Sequence, residues 1–224
     1  EFISSLFKLQ TDRPPQICNL EAALELIASP LHIPQSELNT NSQIKEKTIP
    51  KSQLTVLLRE AAQAMNLSLS ANSHFQEIIL DFEYGREYGE SIKYLQNKGF
   101  KVGLATTRIL KPNEYRNLDY LIRMNPDFIL VRNLAALSYF KEKSPKIPLR
   151  GDFSLNVTNE MSFAYFYRHG LDSICLSYDM NFEQTQDLLK KINPSFCEIT
   201  IHQYVPSFHM EHCVFAAFLS HGSS

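Results

Sequence analysis

The stretch near the C-terminus of the sequence holds the densest group of residues that could do chemistry. His202, His209, Glu211, His212 and Cys213 lie within 12 residues of one another. His209 and His212 are three residues apart, a spacing that places two imidazoles on one face of a helix, and Cys213 can supply a thiolate, a soft metal ligand. Apolar residues surround the group, however, and buried cysteines in such company are usually inert. The residues therefore leave two interpretations open, a metal site and a packed core.

Three arginines form a second candidate site. Arg108 and Arg132 follow predicted strands, and Arg150 precedes one. If the three side chains converge at one end of the sheet, they would form an anion pocket suited to phosphate or carboxylate, which guanidinium groups bind through paired hydrogen bonds. The alternative is that each is an ordinary solvated surface arginine.

Polar residues that close the predicted strands complete the candidates, because reacting groups in (β/α) barrels lie at the carboxyl ends of the strands. Besides the arginines, the substrate-binding candidates are Asp81, Asn156, His202 and Tyr204. Tyr178, which follows the fifth predicted strand, and Tyr204 could stack on a base. For four further residues at strand ends we expect helix capping instead: Thr107, Asn133, Asn159 and Asp179.

No motif for hydrolysis accompanies these residues. The sequence contains no G-x-S-x-G nucleophile elbow, and Glu211 and His212 are not part of an H-E-x-x-H helix. The catalytic residues therefore stay unassigned.

The elements that must position these side chains repeat along the chain. From about residue 76 onward, short apolar runs alternate with helical stretches roughly every 25 residues. The runs predict strands at 77–82, 101–106, 127–131, 153–157, 173–178 and 198–203. The stretches between them predict helices at 88–96, 113–124, 134–143, 159–169 and 182–192. Strands joined by helices of this length must be parallel neighbours with right-handed crossovers.

The first predicted strand ends without a G-x-G-x-x-G phosphate turn, which disfavours a doubly wound sheet. We therefore predict an α/β fold in the form of an incomplete (β/α) TIM-like barrel with about six parallel strands, built from residues 71–224. Residues 1–70 do not show this alternation of strands and helices, and helices are predicted there at 19–28 and 50–65. We expect this segment to be a helical appendage or the end of an inserted domain.

Composition limits the function classes. The chain of 224 residues is 44% hydrophobic and has a net charge of −2, which argues against disorder and against nucleic-acid binding through a basic excess alone. No stretch approaches the ~18 uncharged apolar residues of a membrane helix, and the four cysteines include no C-x-x-C pair. We expect a cytoplasmic protein without a membrane partner, of unknown oligomeric state.

Two segments resemble the collagenase-like peptidase family U32: LRGDFSLNVTN at 149–159 and HMEHCVF at 209–215. The resemblance covers about residues 20–220 and implies a barrel fold. The name of the family implies a protease or collagenase. Members that act in RNA modification or in oxygen-independent quinone synthesis hydroxylate a pyrimidine base or a quinone precursor, and they hold an iron-sulfur cluster with four cysteines.

Of those cluster ligands, the resemblance carries over only Cys213. Cys18, Cys175 and Cys197 lie outside the family pattern, and the remaining ligands would lie beyond Ser224. We therefore expect an iron-sulfur cluster in a full-length protein, an incomplete cluster site here, and a fragment that is inactive by itself.

Three functions follow as expectations. The first is iron-sulfur-dependent hydroxylation of a base in tRNA or rRNA by the full-length protein, with the arginines holding phosphate. The second is a collagenase-like protease, as the family name suggests. The third is a noncatalytic barrel that binds RNA or a partner protein.

Overall fold

The computed structural model of the chain describes residues 53–67, 75–83, 85–204 and 218–219. Within these ranges, seven parallel strands alternate with helices, and each strand pairs with its neighbours along the chain. The sheet curls into part of a barrel, which confirms the predicted incomplete α/β barrel. In the described part of the chain, no helix is both long and apolar enough to cross a membrane.

The strands are β1 (Leu54–Leu58), β2 (Phe75–Leu80), β3 (Lys101–Ala105), β4 (Phe128–Val131), β5 (Leu149–Gly151), β6 (Ser173–Cys175) and β7 (Cys197–Glu198). The helices are α1 (Ala61–Met65), α2 (Tyr88–Asn97), α3 (Tyr115–Arg123), α4 (Leu134–Lys143), α5 (Glu160–Arg168) and α6 (Phe182–Leu189). Short 3-10 turns lie at Gly85–Glu87, Phe153–Leu155 and Pro194–Phe196.

Alternation along each strand divides the sheet into two faces. Ile78, Val102 and Ile129 have no exposed surface and belong to the main core, which also contains the buried residues of the helices. Residues of the opposite parity line the inside of the barrel and form a smaller apolar cluster: Ile79, Ala105, Phe128 and Leu130. Burial on both faces explains why the strands appear in the sequence as short continuous apolar runs.

The first strand corrects the prediction of one helix over 50–65. Leu54–Leu58 forms β1, which pairs in parallel with β2, and only Ala61–Met65 is helical. The β-branched residues Thr55 and Val56 favour the extended state. This strand lies inside residues 1–70, for which we predicted a helical appendage. Residues 1–52 and 68–74 of that segment, with the helix predicted at 19–28, lie outside the described residues.

The fifth and seventh strands also differ from the prediction. β5 is Leu149–Gly151, and the residues predicted as a strand at 153–157 begin instead with the 3-10 turn Phe153–Leu155. Asn156 follows with a φ of 54°, a left-handed conformation that is incompatible with a continuous strand. The strand predicted at 198–203 is shortened to Cys197–Glu198.

The helices lie close to their predicted positions. Asn133 and Asn159 cap α4 and α5 as predicted, since each side chain accepts a hydrogen bond from a backbone N–H three residues later, at 2.8 and 2.9 Å. The cap of α6 is Asn181 rather than Asp179. Thr107 is not a cap, because α3 begins only at Tyr115.

Candidate functional site

Side chains at the carboxyl ends of four strands form one row of ion pairs, which we call the mouth row: Arg59, Asp81, Arg132 and Asp152. Arg132 follows β4 and lies between Asp81, which follows β2, and Asp152, which follows β5. Arg132 Nη1 and Nη2 donate to Asp81 Oδ1 and Oδ2, each at 2.9 Å, and Arg132 Nε donates to Asp152 Oδ2 at 3.2 Å. This forked geometry fixes the plane of the guanidinium.

The centre of the mouth row is buried. The side chains of Arg132, Asp81 and Asp152 are 10%, 14% and 6% exposed. Burial lowers the pKa of Arg132, but the hydrogen bonds and charges of Asp81 and Asp152 outweigh it and hold that pKa above its ordinary value. Arg132 is therefore permanently charged, and it lies between the carboxylates of Asp81 and Asp152.

The backbone at the strand ends holds this row in place. The N–H groups of Asp81 and Asp152 continue the sheet pattern and donate to carbonyl oxygens at the ends of β1 and β4, at 2.9 and 3.0 Å. The N–H of Arg132 donates to Thr106 Oγ1 at 3.0 Å. The charged groups therefore sit on rigid extensions of the strands, which preorganises them.

Arg59 extends the mouth row to β1. Its Nη1 donates to Asp81 Oδ2 at 2.6 Å, and the same oxygen accepts from Arg132 Nη2. The Arg59 side chain is 68% exposed. The outer end of the row is therefore open to solvent, whereas its centre is closed.

Next to the row, three half-buried side chains form a stack that we call the mouth platform: Arg108, Phe153 and Tyr178. The Arg108 guanidinium carbon lies 5.0 Å from the centre of the Phe153 ring. The Phe153 and Tyr178 ring centres are 4.6 Å apart, and their planes are tilted by 52°. Ser154 connects the platform to the row, because its hydroxyl lies 3.0 Å from Asp152 Oδ2. The platform thus gathers residues that follow β3, β5 and β6.

A second charged group, which we call the inner cluster, lies inside the barrel and consists of Glu77, Lys101, Arg150 and Glu198. Arg150, in the middle of β5, donates from Nη1 to Glu77 Oε2 at 2.8 Å, and the same nitrogen lies 3.6 Å from Glu198 Oε1. Lys101 Nζ lies 3.8 Å from Glu77 Oε1. The Arg150 guanidinium carbon lies 3.9 Å from the centre of the Phe128 ring. The inner cluster therefore connects β2 with β5 and β7 across the barrel.

Glu77 is charged despite being only 7% exposed. Burial raises its pKa, but the hydrogen bond and charge of Arg150 and the charge of Lys101 outweigh that effect and hold the pKa below the ordinary value of 4.5. The carboxylate is the counter-ion that keeps Arg150 inside the barrel.

The structure places the three arginines of the predicted anion pocket in three different surroundings. Arg108 belongs to the platform, Arg132 to the mouth row and Arg150 to the inner cluster. Arg132 and Arg150 each lie between two carboxylates, so the three do not form one pocket of uncompensated positive charge. The reason is that Arg150 lies within β5 rather than beyond it. A role of each arginine in substrate binding stays a prediction.

The other predicted site residues are dispersed. Asp81 lies at the centre of the mouth row, whereas Asn156 is an exposed residue after the 3-10 turn. His202 and Tyr204 follow β7 and are exposed, Tyr204 to 98%. Cys213 lies outside the described residues, as does the rest of its cluster at 209–212.

The two described cysteines are too few for an iron-sulfur cluster, which is held by four cysteines. Cys175 is buried in β6, and burial raises the pKa of its thiol to about 11. Burial likewise raises the pKa of the Cys197 thiol to about 12. Both thiols are protonated at neutral pH. Among the described residues, no group of three or more His, Cys, Asp or Glu side chains could hold a metal ion.

Sequence reasoning missed five charged residues of the mouth row and the inner cluster: Arg59, Glu77, Lys101, Asp152 and Glu198. Arg59 and Asp152 directly follow β1 and β5, two strands that were assigned incorrectly, so the strand-end rule was applied at the wrong positions. Glu77 had a signal of its own, since a carboxylate inside the apolar strand FQEIIL needs a buried partner.

Comparison with known proteins identifies the family. The sequence model of Peptidase family U32 matches residues 53–224. The solved structure of the U32 peptidase Mk0906 matches with a TM-score of 0.51 at 13% identity, over 66% of this chain and 67% of that chain. The crystal structure of an uncharacterized B. cereus protein matches with a TM-score of 0.43 at 14% identity, over 62% of this chain and 44% of that chain. No curated protein matches. Because the family match spans most of the chain, the chain belongs to peptidase family U32.

Proposed function

We propose that the barrel mouth binds an unpaired base of an RNA substrate and that the full-length protein hydroxylates this base. The observation that carries the proposal is the mouth platform of Arg108, Phe153 and Tyr178 beside the buried mouth row. The reaction class rests on the family resemblance, because U32 members that modify RNA are hydroxylating enzymes.

The composition of the platform suits a nucleobase. Unpaired bases are commonly bound by stacking on aromatic rings or on the planar guanidinium of arginine. Arg108, Phe153 and Tyr178 are each half-buried, so part of every side chain is accessible while its neighbours hold it. The positive charge of Arg108 also suits a ligand that carries phosphate.

The mouth row suits the polar edge of a base. Ser154 adjoins Phe153 in the chain, and its half-buried hydroxyl lies beside the platform, held in place by the buried Asp152 carboxylate. A base edge requires such donors and acceptors at fixed positions. The rigid strand ends supply that preorganisation.

Hydroxylation also needs an oxidant and a donor of oxygen, which the described residues do not supply. The family resemblance implies an iron-sulfur cluster held by four cysteines, and the described residues contain two, Cys175 and Cys197. Cluster ligands would have to come from residues outside the described part, with Cys213 as the candidate. The described residues are therefore proposed to bind and orient the substrate only.

Proteolysis is the second candidate, and the contact between Ser154 Oγ and Asp152 Oδ2 is the observation in its favour. A serine nucleophile needs a base that can accept its proton. Asp152 Oδ2 also accepts a hydrogen bond from Arg132 Nε, and the Ser154 hydroxyl lies at the same 3.0 Å from the carbonyl oxygen of Arg132. The contact is therefore better explained as a structural hydrogen bond, and we rank proteolysis below base modification.

Nucleoside analysis tests the proposal. Total RNA from cells that produce the full-length protein is digested, and mass spectrometry measures pyrimidine nucleosides with one additional oxygen. We expect such a nucleoside with the wild-type protein and its loss with Tyr178→Ala. The matched control is Tyr115→Ala, which removes an exposed tyrosine on α3 whose ring stacks on Tyr139 and not on a platform residue.

Identical nucleosides in cells with and without the protein would refute base hydroxylation. Cleavage of gelatin by the purified protein, lost in Ser154→Ala, would favour the protease instead. RNA binding without any modified nucleoside would favour the noncatalytic barrel.

A further inference from the structure

We infer that Arg59 contacts a phosphate of the bound single-stranded RNA and that Asp81 holds Arg59 in position for this contact. The inference rests on the proposed function and names the anion contact within the same site. Neither the strand-end reasoning from the sequence nor the family resemblance singles out Arg59.

Asp81 does not need Arg59 as a counter-ion. Both oxygens of Asp81 already accept from Arg132, each at 2.9 Å. Arg59 adds a third hydrogen bond, at 2.6 Å, to an oxygen that has a cationic donor already. With its side chain 68% exposed, Arg59 contributes little to folding through this ion pair. Stability alone therefore does not account for an arginine at this position.

Arg59 is held at both ends. Its backbone N–H donates to Gln63 Oε1 at 2.8 Å, and the N–H of Glu60 donates to the same oxygen at 3.1 Å. Asp81 holds the guanidinium at the far end of the side chain. Because long side chains normally lose rotamer freedom when they bind a ligand, an arginine that is already fixed binds with a smaller entropic penalty.

Arg59 and Arg132 differ in how many of their guanidinium nitrogens already donate to an acceptor. Arg132 uses its Nε, Nη1 and Nη2 atoms on Asp81 and Asp152. Arg59 uses only Nη1, and its Nε and Nη2 atoms have no acceptor among the described residues. Exposed guanidinium donors in a fixed plane match the paired oxygens of a phosphate. Of the two arginines on Asp81, Arg59 is thus the one that can bind an anionic ligand.

The position of Arg59 fits an RNA strand whose base lies on the mouth platform. Contacts run without a break from Arg59 through Asp81, Arg132 and Asp152 to Ser154, the residue next to Phe153. A strand that stacks one base on the platform can therefore follow the mouth row with its backbone. Arg59 would then meet a phosphate at the far end of the row.

Salt-dependent RNA binding tests this inference. The full-length protein is titrated into a fluorescent single-stranded pyrimidine oligonucleotide at several salt concentrations, and anisotropy gives the dissociation constant. For Arg59→Gln we expect about tenfold weaker binding at low salt, and a salt slope reduced by about 0.7, the value for one phosphate contact on a single strand. Arg116→Gln, the same charge change at an exposed position on α3, should alter neither quantity.

Arg59→Lys provides a second variant, which keeps the charge and should keep the salt slope. Wild-type binding that Arg59→Gln leaves unchanged in affinity and slope would overturn the inference and leave the proposed function standing. Equal effects of Arg59→Gln and Arg116→Gln would also overturn it, because the loss would then reflect net charge alone. No binding by the wild-type protein would overturn both.

Discussion

Arg59 and Arg132 bind the same carboxylate of Asp81, but their surroundings differ sharply. The Arg132 side chain is 10% exposed and lies between two carboxylates, whereas the Arg59 side chain is 68% exposed and contacts one. A buried cation between buried anions is costly to remove, because Asp152 would then lose its cation and Asp81 would keep that of the exposed Arg59. An exposed ion pair is screened by water and salt. We therefore assign a structural role to Arg132 and the proposed contact with the ligand to Arg59.

This assignment predicts unequal effects on stability. Arg132→Gln should lower the free energy of unfolding by about 3 kcal/mol, because it removes the cation from buried Asp152 and leaves buried Asp81 with the exposed Arg59 alone among the described residues. Arg59→Gln should lower it by less than about 1 kcal/mol. Urea denaturation followed by circular dichroism measures both values. Equal losses for the two variants would contradict the assignment.

Glu77 predicts a pH dependence inside the barrel. Its pKa is held below 4.5 in the folded protein, so its contribution to stability is present above the unfolded pKa and is lost as the pH falls through the folded pKa. Glu77→Gln should therefore lower the free energy of unfolding at pH 7, by about 1 to 2 kcal/mol. The difference from the wild-type protein should shrink below about pH 4.5. Denaturation curves at pH 7 and pH 3.5 check this, and a difference that grows toward low pH would contradict it.

At the scale of elements, β3 and β4 approach each other closely at Gly103. A Cβ atom at this position would lie only 2.2 Å from the ring of Phe128. The absence of a side chain lets the ring lie against β3, and Arg150 in turn packs over that ring. The inner cluster thus depends on a glycine in the middle of a strand.

Gly103→Ala should therefore destabilise the protein by about 2 kcal/mol through overpacking. Because Phe128 is the residue in the way, the double variant with Phe128→Leu should be less destabilised than the sum of the two single changes. Thermal denaturation of the three variants measures this coupling. Gly89→Ala is the matched control, since a Cβ there meets only Met124 Sδ at 3.8 Å and alanine favours the helix. Strict additivity at Gly103 and Phe128 would refute the steric account.

The sequence was sufficient for elements with a clear period. Leu134–Lys143 has the predicted bounds, and the caps at Asn133 and Asn159 follow from side chains that bind free N–H groups. Short strands were harder to predict, because three to five residues carry little periodic signal. Leu149–Gly151 has three residues. The strand was predicted at 153–157 instead, because the apolar residues there gave a stronger strand signal.

Errors in the strands became errors in the site. Asp81, Arg108, Arg132 and Tyr178 follow strands that were placed correctly, and the strand-end rule selected all of them. Arg59 follows a strand that was predicted as part of a helix. Asp152 follows β5, so the rule selected Asn156 instead. The ion pairs of the mouth row could not be predicted, since they join residues 20 to 51 positions apart.

At the scale of the whole molecule, two charged layers cross the same curled sheet. The inner cluster joins β2 to β5 and β7, and the mouth row joins β1, β2, β4 and β5. The apolar side chains of Ile79, Ala105, Phe128 and Leu130 form a separate cluster on the same face. The layer inside the strands packs against Phe128, and the layer at the strand ends lies where barrels of this kind generally carry their ligand-binding groups.

The comparisons show the family and the fold. The proposed function depends on the side chains at the barrel mouth and must be tested there. A likeness at 13% identity to the U32 peptidase Mk0906 shows the fold alone. The central claim is that Phe153 and Tyr178 form the surface on which an unpaired RNA base stacks. This claim concerns two named side chains, so it can be tested by locating the bound RNA.

Photochemical crosslinking of single-stranded RNA to the full-length protein, with mass spectrometry of the crosslinked peptides, tests this claim most directly. Our account predicts crosslinks on the peptides that contain Phe153 and Tyr178, with the Tyr178 crosslink lost in Tyr178→Ala and retained in Tyr115→Ala. Crosslinks confined to exposed aromatic residues of the helices, such as Tyr115 and Tyr165, or no crosslinks at all, would contradict it.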